Sequence, residues 1–220
     1  LLEKSRLGSK PTPEGRVLLN FSTKLLRDIE DCERSILSPD ILSGNIVIGS
    51  YESFTASWWP KFIKRFQQNY PEVNLQIKSD KNSALNSRLL SQELHVVVEA
   101  EPAINELITS FPIGEDSFSF YTNHENYKRL SLSKDDFLGL PLVYVPYATN
   151  TKGERLDSYL LSSIKKPNKT IELETFSSVQ SFLLEGLGIG VLPSRLARKS
   201  KNLKMVKIKG HAPSFHKHRI

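Results

Sequence analysis

A long amphipathic stretch near the front of the chain leads directly into a buried strand pattern, and this order limits the possible folds. Residues 12–37 carry apolar side chains three or four positions apart, which predicts one long helix with a narrow apolar stripe. Thr12 can cap this helix, and Pro13 suits its first turn. A short polar hinge at 38–44 precedes 46–48, which is predicted to be a buried parallel strand. This order is typical of proteins that transmit a signal.

The apolar stripe of the predicted helix is thin, and charged side chains cover most of the remaining surface. A helix of this length with so narrow an apolar face needs a partner. Pairing with a second copy is favoured over packing on its own domain. The residues expected at this dimer interface are Leu18, Phe21, Leu25, Ile29, Cys32 and Ile36. Cys32 is the single cysteine, which excludes an internal disulfide and indicates a buried structural thiol rather than a redox sensor.

The rest of the chain alternates strand and helix patterns in two groups. The first group has strands at 46–48, 73–77 and 96–98 and helices at 55–69 and 83–92. This β-α-β-α-β order implies right-handed crossovers and a parallel sheet, in which the valines at 96–98 form a fully buried strand. The second group begins after Pro112, with strands at 118–121, 142–145, 171–173 and 188–192, helices at 152–162 and 177–185, and a last helix opened by Pro193.

These two groups predict an α/β fold with two lobes. Lobe I covers 45–115 together with 208–220, and lobe II covers 116–207. Residues 205–208 are expected to carry the chain back to lobe I. Because ligands of open α/β sheets bind outside the carboxyl ends of the strands, a cleft between the lobes is the expected binding site.

Charge is distributed unevenly along the chain, whose net charge is +6. No acidic residue follows Glu185, and nine Lys or Arg residues lie between Arg195 and Arg219. A solvated basic surface is favoured over a patch that binds a polyanion. The sequence has neither a long apolar run nor a recognisable secretory signal, so we expect no membrane span and a cytoplasmic location.

No catalytic or cofactor motif is recognisable in the sequence. A nucleophile elbow, a P-loop, a zinc-protease helix and a cysteine cluster are all missing, so an enzyme, a cofactor and a metal site are not predicted. The glycine-rich segment 186–190 follows a helix and enters a strand, which is the wrong order for a dinucleotide-binding turn. Close packing of helix against strand explains these glycines better.

Three groups of motifs, taken in order, carry a family resemblance. The first is Leu-Glu-Lys-Ser-Arg at 2–6 with Pro-Thr-Pro-Glu-Gly at 11–15. The second is Gly-Asn-Ile-Val-Ile-Gly at 44–49, with Trp-Pro-Lys-Phe at 59–62 and Phe-Gln-Gln-Asn-Tyr-Pro-Glu-Val at 66–73. The third is Glu-Thr-Phe-Ser-Ser at 174–178 with Glu-Gly-Leu-Gly-Ile-Gly-Val-Leu-Pro at 185–193. In this order and spacing, over nearly the whole chain, they resemble the LysR-type transcriptional regulators.

The resemblance implies a bacterial DNA-binding regulator with a two-lobe, periplasmic-binding-protein-like (type 2) effector domain. Residues 1–12 would be the wing that ends a winged helix-turn-helix domain, and 13–38 the linker helix that forms dimers, commonly assembled into tetramers. The recognition helix is expected upstream of Leu1, so most contacts to promoter DNA would lie outside this chain. Within it, Arg6 and Lys10 are the expected phosphate contacts.

The chain departs from the family pattern at His95, where an acidic residue is usual. The sequence around this position, Glu-Leu-His-Val-Val at 93–97, holds no other histidine. A metal-binding role for His95 is therefore disfavoured.

A small-molecule effector is expected in the cleft, at the turns where strands lead into helices. Free backbone N–H groups and hydroxyls converge at such a turn, and the helix dipole favours an anionic group there. The expected contacts in lobe I are Ser50, Tyr51, Glu52, Ser53, Ser83 and Glu99. The resemblance adds Tyr147, Thr149, Asn150, Thr151, Phe176 and Ser177 in lobe II. Ordinary helix capping by Ser53, Thr151 and Ser177 is the alternative interpretation.

Acidic side chains on one wall of the cleft bear on the chemistry of the effector. Glu52, Glu99 and Glu101 all lie near the carboxyl ends of the predicted strands of lobe I. An effector with an amino group, or a zwitterion, would suit such a wall.

Two other classes of protein stay open at this point. A solute-binding protein of a transporter would share the two-lobe fold, but the front helix has no place in it. An enzyme on a two-lobe scaffold would need a catalytic cluster, which the sequence does not show.

Overall fold

The computed structural model describes residues 1–5, 8–37, 42–80, 82–99, 105–123, 125, 127, 129–146, 164–210 and 218–219. Its helices are α1 (Pro13–Leu37), α2 (Glu52–Ser57), α3 (Trp59–Asn69), α4 (Asn82–Leu90), α5 (Lys134–Leu138), α6 (Phe176–Leu184) and α7 (Ser194–Ala197). Its strands are β1 (Leu2–Ser5), β2 (Gly8–Pro11), β3 (Gly44–Ser50), β4 (Val73–Ser79), β5 (Val96–Val98), β6 (Glu115–Asp116), β7 (Phe118–Asn123), β8 (Ser131–Leu132), β9 (Leu142–Tyr144), β10 (Thr170–Glu172), β11 (Ile189–Pro193), β12 (Leu203–Ile208) and β13 (His218–Arg219). The helix predicted at 152–162 lies outside the described residues.

An antiparallel hairpin of β1 and β2 precedes the long helix α1. The backbone N–H of Gly15 donates to Thr12 Oγ1 at 3.1 Å, so Thr12 caps the helix as the sequence predicts. With 25 residues, α1 is about 37 Å long.

The sheet of lobe I contains β4, β3 and β5 in that order, and both pairs of neighbours are parallel. This confirms the β-α-β-α-β prediction. Ile48, Phe54, Trp59 and Val98 form a buried cluster between this sheet and the helices α2 and α3.

The single helix predicted at 55–69 is in fact two helices, because the helical conformation is interrupted at Trp58. Pro60 lies in the first turn of α3 and has no N–H to donate to the carbonyl of Ala56. The Ala56 carbonyl instead accepts a hydrogen bond from the Lys199 ammonium. A proline within the predicted helix therefore frees a backbone acceptor for a residue 143 positions later in the chain.

The prediction that 96–98 is fully buried is wrong, because β5 lies at the edge of the described sheet. Val96 is 47% exposed, and burial increases only toward Val98. His95 joins this edge to β3. The backbone N–H of His95 donates to the Val47 carbonyl at 2.8 Å, and the ring Nδ1 accepts the Val47 backbone N–H at 2.8 Å.

Replacing His95 with leucine leaves the Val47 N–H without an acceptor inside a folded sheet. We expect this variant to lose about 1–3 kcal/mol in the free energy of unfolding, measured by urea denaturation. His95→Asn places an oxygen near the position of Nδ1 and should lose clearly less. Equal losses in the two variants would show that the Nδ1 bond does not matter.

The six-stranded sheet of lobe II has the order β10-β9-β11-β7-β12-β8. β9 is parallel to both of its neighbours, β10 and β11. β7 is antiparallel to both β11 and β12. The expectation that 205–208 returns the chain to lobe I is wrong. β12 pairs with β7 and β8, because Val206 and Ile208 are buried in the core of lobe II.

β6 lies in the chain between β5 of the three-stranded sheet and β7 of the six-stranded sheet, and it pairs with β13. These two short strands form an antiparallel pair in which Asp116 lies opposite His218. The predicted lobe boundary at 115/116 falls within β6, and this division of the chain stays a prediction. No described helix is long and apolar enough to cross a membrane.

Candidate functional site

The two lobes meet where α2 of lobe I contacts α6 and α7 of lobe II. β3 leads into α2 at the carboxyl edge of its sheet, and β11 leads directly into α7. Ala56 of α2 packs against the buried cluster that holds Val179, Leu183 and Leu196 of lobe II. The junction between the two sheets therefore includes an apolar contact to which both lobes contribute.

Arg195 of α7 lies at this junction, and the sequence interpretation assigned it no role there. Its guanidinium forms an ion pair with Asp116 of β6, and its side chain is 21% exposed while that of Asp116 is 8% exposed. Its Nη2 donates to Ser53 Oγ at 3.0 Å and its Nε to Ser57 Oγ at 3.2 Å. The guanidinium carbon lies 3.7 Å from the centroid of the Phe54 ring, which adds a cation–π contact.

Burial lowers the pKa of Arg195, and the charge of Asp116 opposes that effect. An arginine nevertheless stays protonated at neutral pH. The junction therefore contains a cation that is neutralised by one carboxylate and solvated by two serine hydroxyls.

The predicted effector contacts of the first turn lie close to this cation. Ser50 is fully buried, and its Oγ accepts the indole N–H of Trp59 at 2.9 Å. Ser53 does not cap α2, because the N-cap position is Tyr51, and the Ser53 hydroxyl accepts a hydrogen bond from Arg195. Tyr51 and Glu52 are half-buried beside them.

The corresponding turn of lobe II precedes α6. Thr175 rather than Ser177 is the N-cap, because Thr175 Oγ1 accepts the Ser178 N–H at 3.2 Å. The Phe176 ring contacts that of Phe118 with centroids 5.3 Å apart. The Ser177 hydroxyl is buried without a hydrogen-bond partner among the described residues.

Glu99 lies at the end of β5 and is only 7% exposed. Asn86 Nδ2 donates to its Oε2 at 3.4 Å. Burial raises the pKa of Glu99, and the Asn86 bond offsets part of that rise. Both residues line a groove of about 1000 Å³ formed by α4, β5, 107–111 and Ile113 of lobe I, together with Lys24 and Asp28 of α1.

The raised pKa of Glu99 makes stability depend on pH. Because the folded state holds this proton more tightly than the unfolded state, the free energy of unfolding falls as pH rises through and above 4.5. We expect Glu99→Gln to be more stable than the wild type at pH 7 by about 1 kcal/mol, and to lose this advantage at acidic pH. Urea denaturation between pH 4 and 8 measures it, with the exposed Glu106→Gln as control. A pH-independent difference would contradict the assignment.

Several predicted site residues cannot be placed. Tyr147, Thr149, Asn150, Thr151, Glu101 and Arg6 lie outside the described residues, and the side chains of Ser83 and Ile36 are likewise not described. Lys10 is exposed on β2, opposite Glu3 of β1.

The predicted dimer stripe is exposed on α1. Its described members Leu18, Phe21, Leu25 and Ile29 are between 47% and 66% exposed. Cys32 is also exposed, so the prediction of a buried thiol is wrong for a single chain. Val17, Leu19 and Leu26 widen the apolar surface beyond the predicted stripe.

These features define a two-lobe α/β binding domain with a long helix before it. The LysR substrate binding domain family matches residues 40–218 of the chain. The chain therefore belongs to this family.

Known proteins agree with this assignment. The HTH-type transcriptional regulator CzcR of Bacillus subtilis (strain 168) is 23% identical over 193 residues, which cover 88% of this chain and 64% of that protein. A putative LysR family transcriptional regulator from Pseudomonas aeruginosa superposes with a TM-score of 0.60 at 20% identity, covering 94% of this chain and 74% of that one. Full-length CbnR, solved in complex with its target DNA, gives a TM-score of 0.65 at 13% identity, covering 94% and 73%. The two structures show the shared fold.

Proposed function

We propose that this chain is the effector-sensing and self-associating part of a LysR-type transcriptional regulator. The observation that carries the proposal is the family match across both lobes, joined to a 25-residue helix with an exposed apolar surface. The chain spans 64% of the length of CzcR, and DNA binding by the whole protein is part of this proposal. A regulator of this kind would act in the cytoplasm, and a transporter's solute-binding protein is the less favoured alternative.

In the proposed mechanism, a small molecule binds between the turn after β3 and the turn before α6. Both turns border the contact of α2 with α6, so a ligand there touches both lobes. A ligand that prefers one placement of the lobes shifts the population toward it. The paired α1 helices then pass the change to the DNA-binding domains and alter their spacing on promoter DNA.

For the effector we propose a small molecule with an amino group, including zwitterions. The supporting features are the half-buried Glu52 after β3 and the buried hydroxyl of Ser177 in the first turn of α6, while Glu99 faces the groove along α4 and β5. Thermal unfolding with matched pairs of compounds, an amine against its N-acetyl derivative, tests this. We expect stabilisation by the amines alone, because acetylation removes the positive charge that a carboxylate attracts. Stabilisation by the acetylated compounds instead would overturn it.

The regulatory function is tested with the full-length protein that contains this chain. It should select particular genomic fragments, with affinity that falls steeply as salt concentration rises. The 1–220 chain alone is the matched control and should show no such selection. If the intact protein binds a solute tightly but selects no DNA, the transporter alternative is favoured.

A further inference from the structure

We propose that Arg195 is a pivot that keeps α2 of lobe I, α7 of lobe II and the connecting strand β6 in contact while the lobes move. Its partners come from all three parts. Asp116 lies in β6, Ser53 and Ser57 lie in α2, and Arg195 itself belongs to α7 of lobe II. The regulator needs such a fixed point, because a change at the cleft can reach α1 only if the lobes move in a defined way.

The orientation of the hydroxyls supports this role. Ser57 donates its proton to the Ser53 carbonyl, so its oxygen presents lone pairs toward Arg195. Arg195 thus meets three oxygen acceptors, one carboxylate and two hydroxyls, each in a place fixed by the backbone. A planar guanidinium with several N–H groups suits this better than the single ammonium of lysine.

The position of Asp116 makes the cluster a pivot rather than a lock at the cleft mouth. Asp116 belongs to β6, which lies in the chain between the two sheets, and its Oδ1 also accepts the Arg195 backbone N–H at 3.1 Å. Contacts close to the segment that connects two lobes can persist while the more distant parts of the lobes rotate. Lys199 adds a second bond of this kind, to the Ala56 carbonyl that Pro60 leaves without a helical partner.

Substitution of Arg195 should loosen this arrangement. Without the guanidinium, the buried carboxylate of Asp116 loses its neutralising charge and attracts water into the junction. Ser53 and Ser57 then lose their partner in lobe II. The lobes should sample a wider range of relative positions, with or without an effector.

The distance between spin labels on the two lobes tests the inference in the ligand-free protein. The background is Cys32→Ser, with labels at Lys64→Cys in α3 and Lys204→Cys in β12, both exposed positions. We expect Arg195→Gln to broaden the distance distribution about twofold, and Arg198→Gln, an exposed neighbour, to leave it unchanged.

The double variant Ser53→Ala/Ser57→Ala removes the lobe I acceptors and keeps the Asp116–Arg195 pair. It therefore tests the pivot even if Arg195→Gln does not fold. This variant should also broaden the distribution. A folded double variant with the wild-type distribution would overturn the pivot. Because no effector is used, that failure would leave the proposed function untouched.

Discussion

Replacing Gly188 with alanine should destabilise the protein by about 3 kcal/mol or more, the largest stability change we expect for a single methyl group. Gly188 has φ of +98°, a conformation that side chains rarely adopt. An added Cβ would also collide with the carbonyl oxygen of Pro141.

Neither the Gly188 backbone nor the Pro141 carbonyl can move away without losing a hydrogen bond. The Pro141 carbonyl accepts the Ile189 N–H at 2.9 Å, and the Gly188 carbonyl accepts the Thr122 hydroxyl at 2.8 Å. These bonds fix β11 against its neighbours β9 and β7. Relief of the collision would therefore break part of the lobe II sheet.

Urea denaturation followed by circular dichroism measures the effect of Gly188→Ala. Gly139→Ala is the matched control, because a Cβ there has ordinary contacts at 3.5 and 3.7 Å and the backbone has φ of −75°. We expect the control to stay within about 0.5 kcal/mol of the wild type. A similarly small change for Gly188→Ala would mean that the sheet tolerates the side chain.

The glycine-rich segment 186–190 shows how far local sequence can predict this fold. The order of its glycines, after a helix and before a strand, indicates close packing, and Gly190 also fits this interpretation with Val143 and Leu183 within 3.0 Å of an added Cβ. Two further local signals are present in the sequence, although the prediction did not use them. Pro60 marks the break between α2 and α3, and Ser-Lys-Asp-Asp at 133–136 is the capping box of α5.

The candidate site was less predictable, because its contacts join distant parts of the chain. Strand ends and helix starts are local patterns, so the sequence indicates the turns near Ser53 and Phe176. The partner of Ser53 is Arg195, 142 positions away, and that of Arg195 is Asp116, 79 positions away. A run of basic residues gives no sign of which one is buried between lobes. The course of β12 was mistaken for a similar reason, since register with β7 is set by tertiary packing.

A double substitution in the α1 stripe, Leu25→Glu/Ile29→Glu, should raise the dissociation constant of the proposed dimer about 100-fold or more. The two side chains lie one turn apart and are 50% and 47% exposed in the single chain. Pairing would bury them, whereas two carboxylates facing an apolar partner would have to be desolvated without compensation. Sedimentation equilibrium across a range of protein concentrations measures the change.

The control must add the same charge without touching the stripe. Asn20→Glu/Thr23→Glu does so, because with 3.6 residues per turn these exposed positions lie on the opposite side of α1 from Leu25 and Ile29. This variant should associate as the wild type does. Equal weakening in both variants would mean that charge alone disfavours association, and no weakening in either would remove α1 from the interface. Loss confined to the stripe variant would instead make the exposed apolar face of α1 the surface through which two sensing domains are joined.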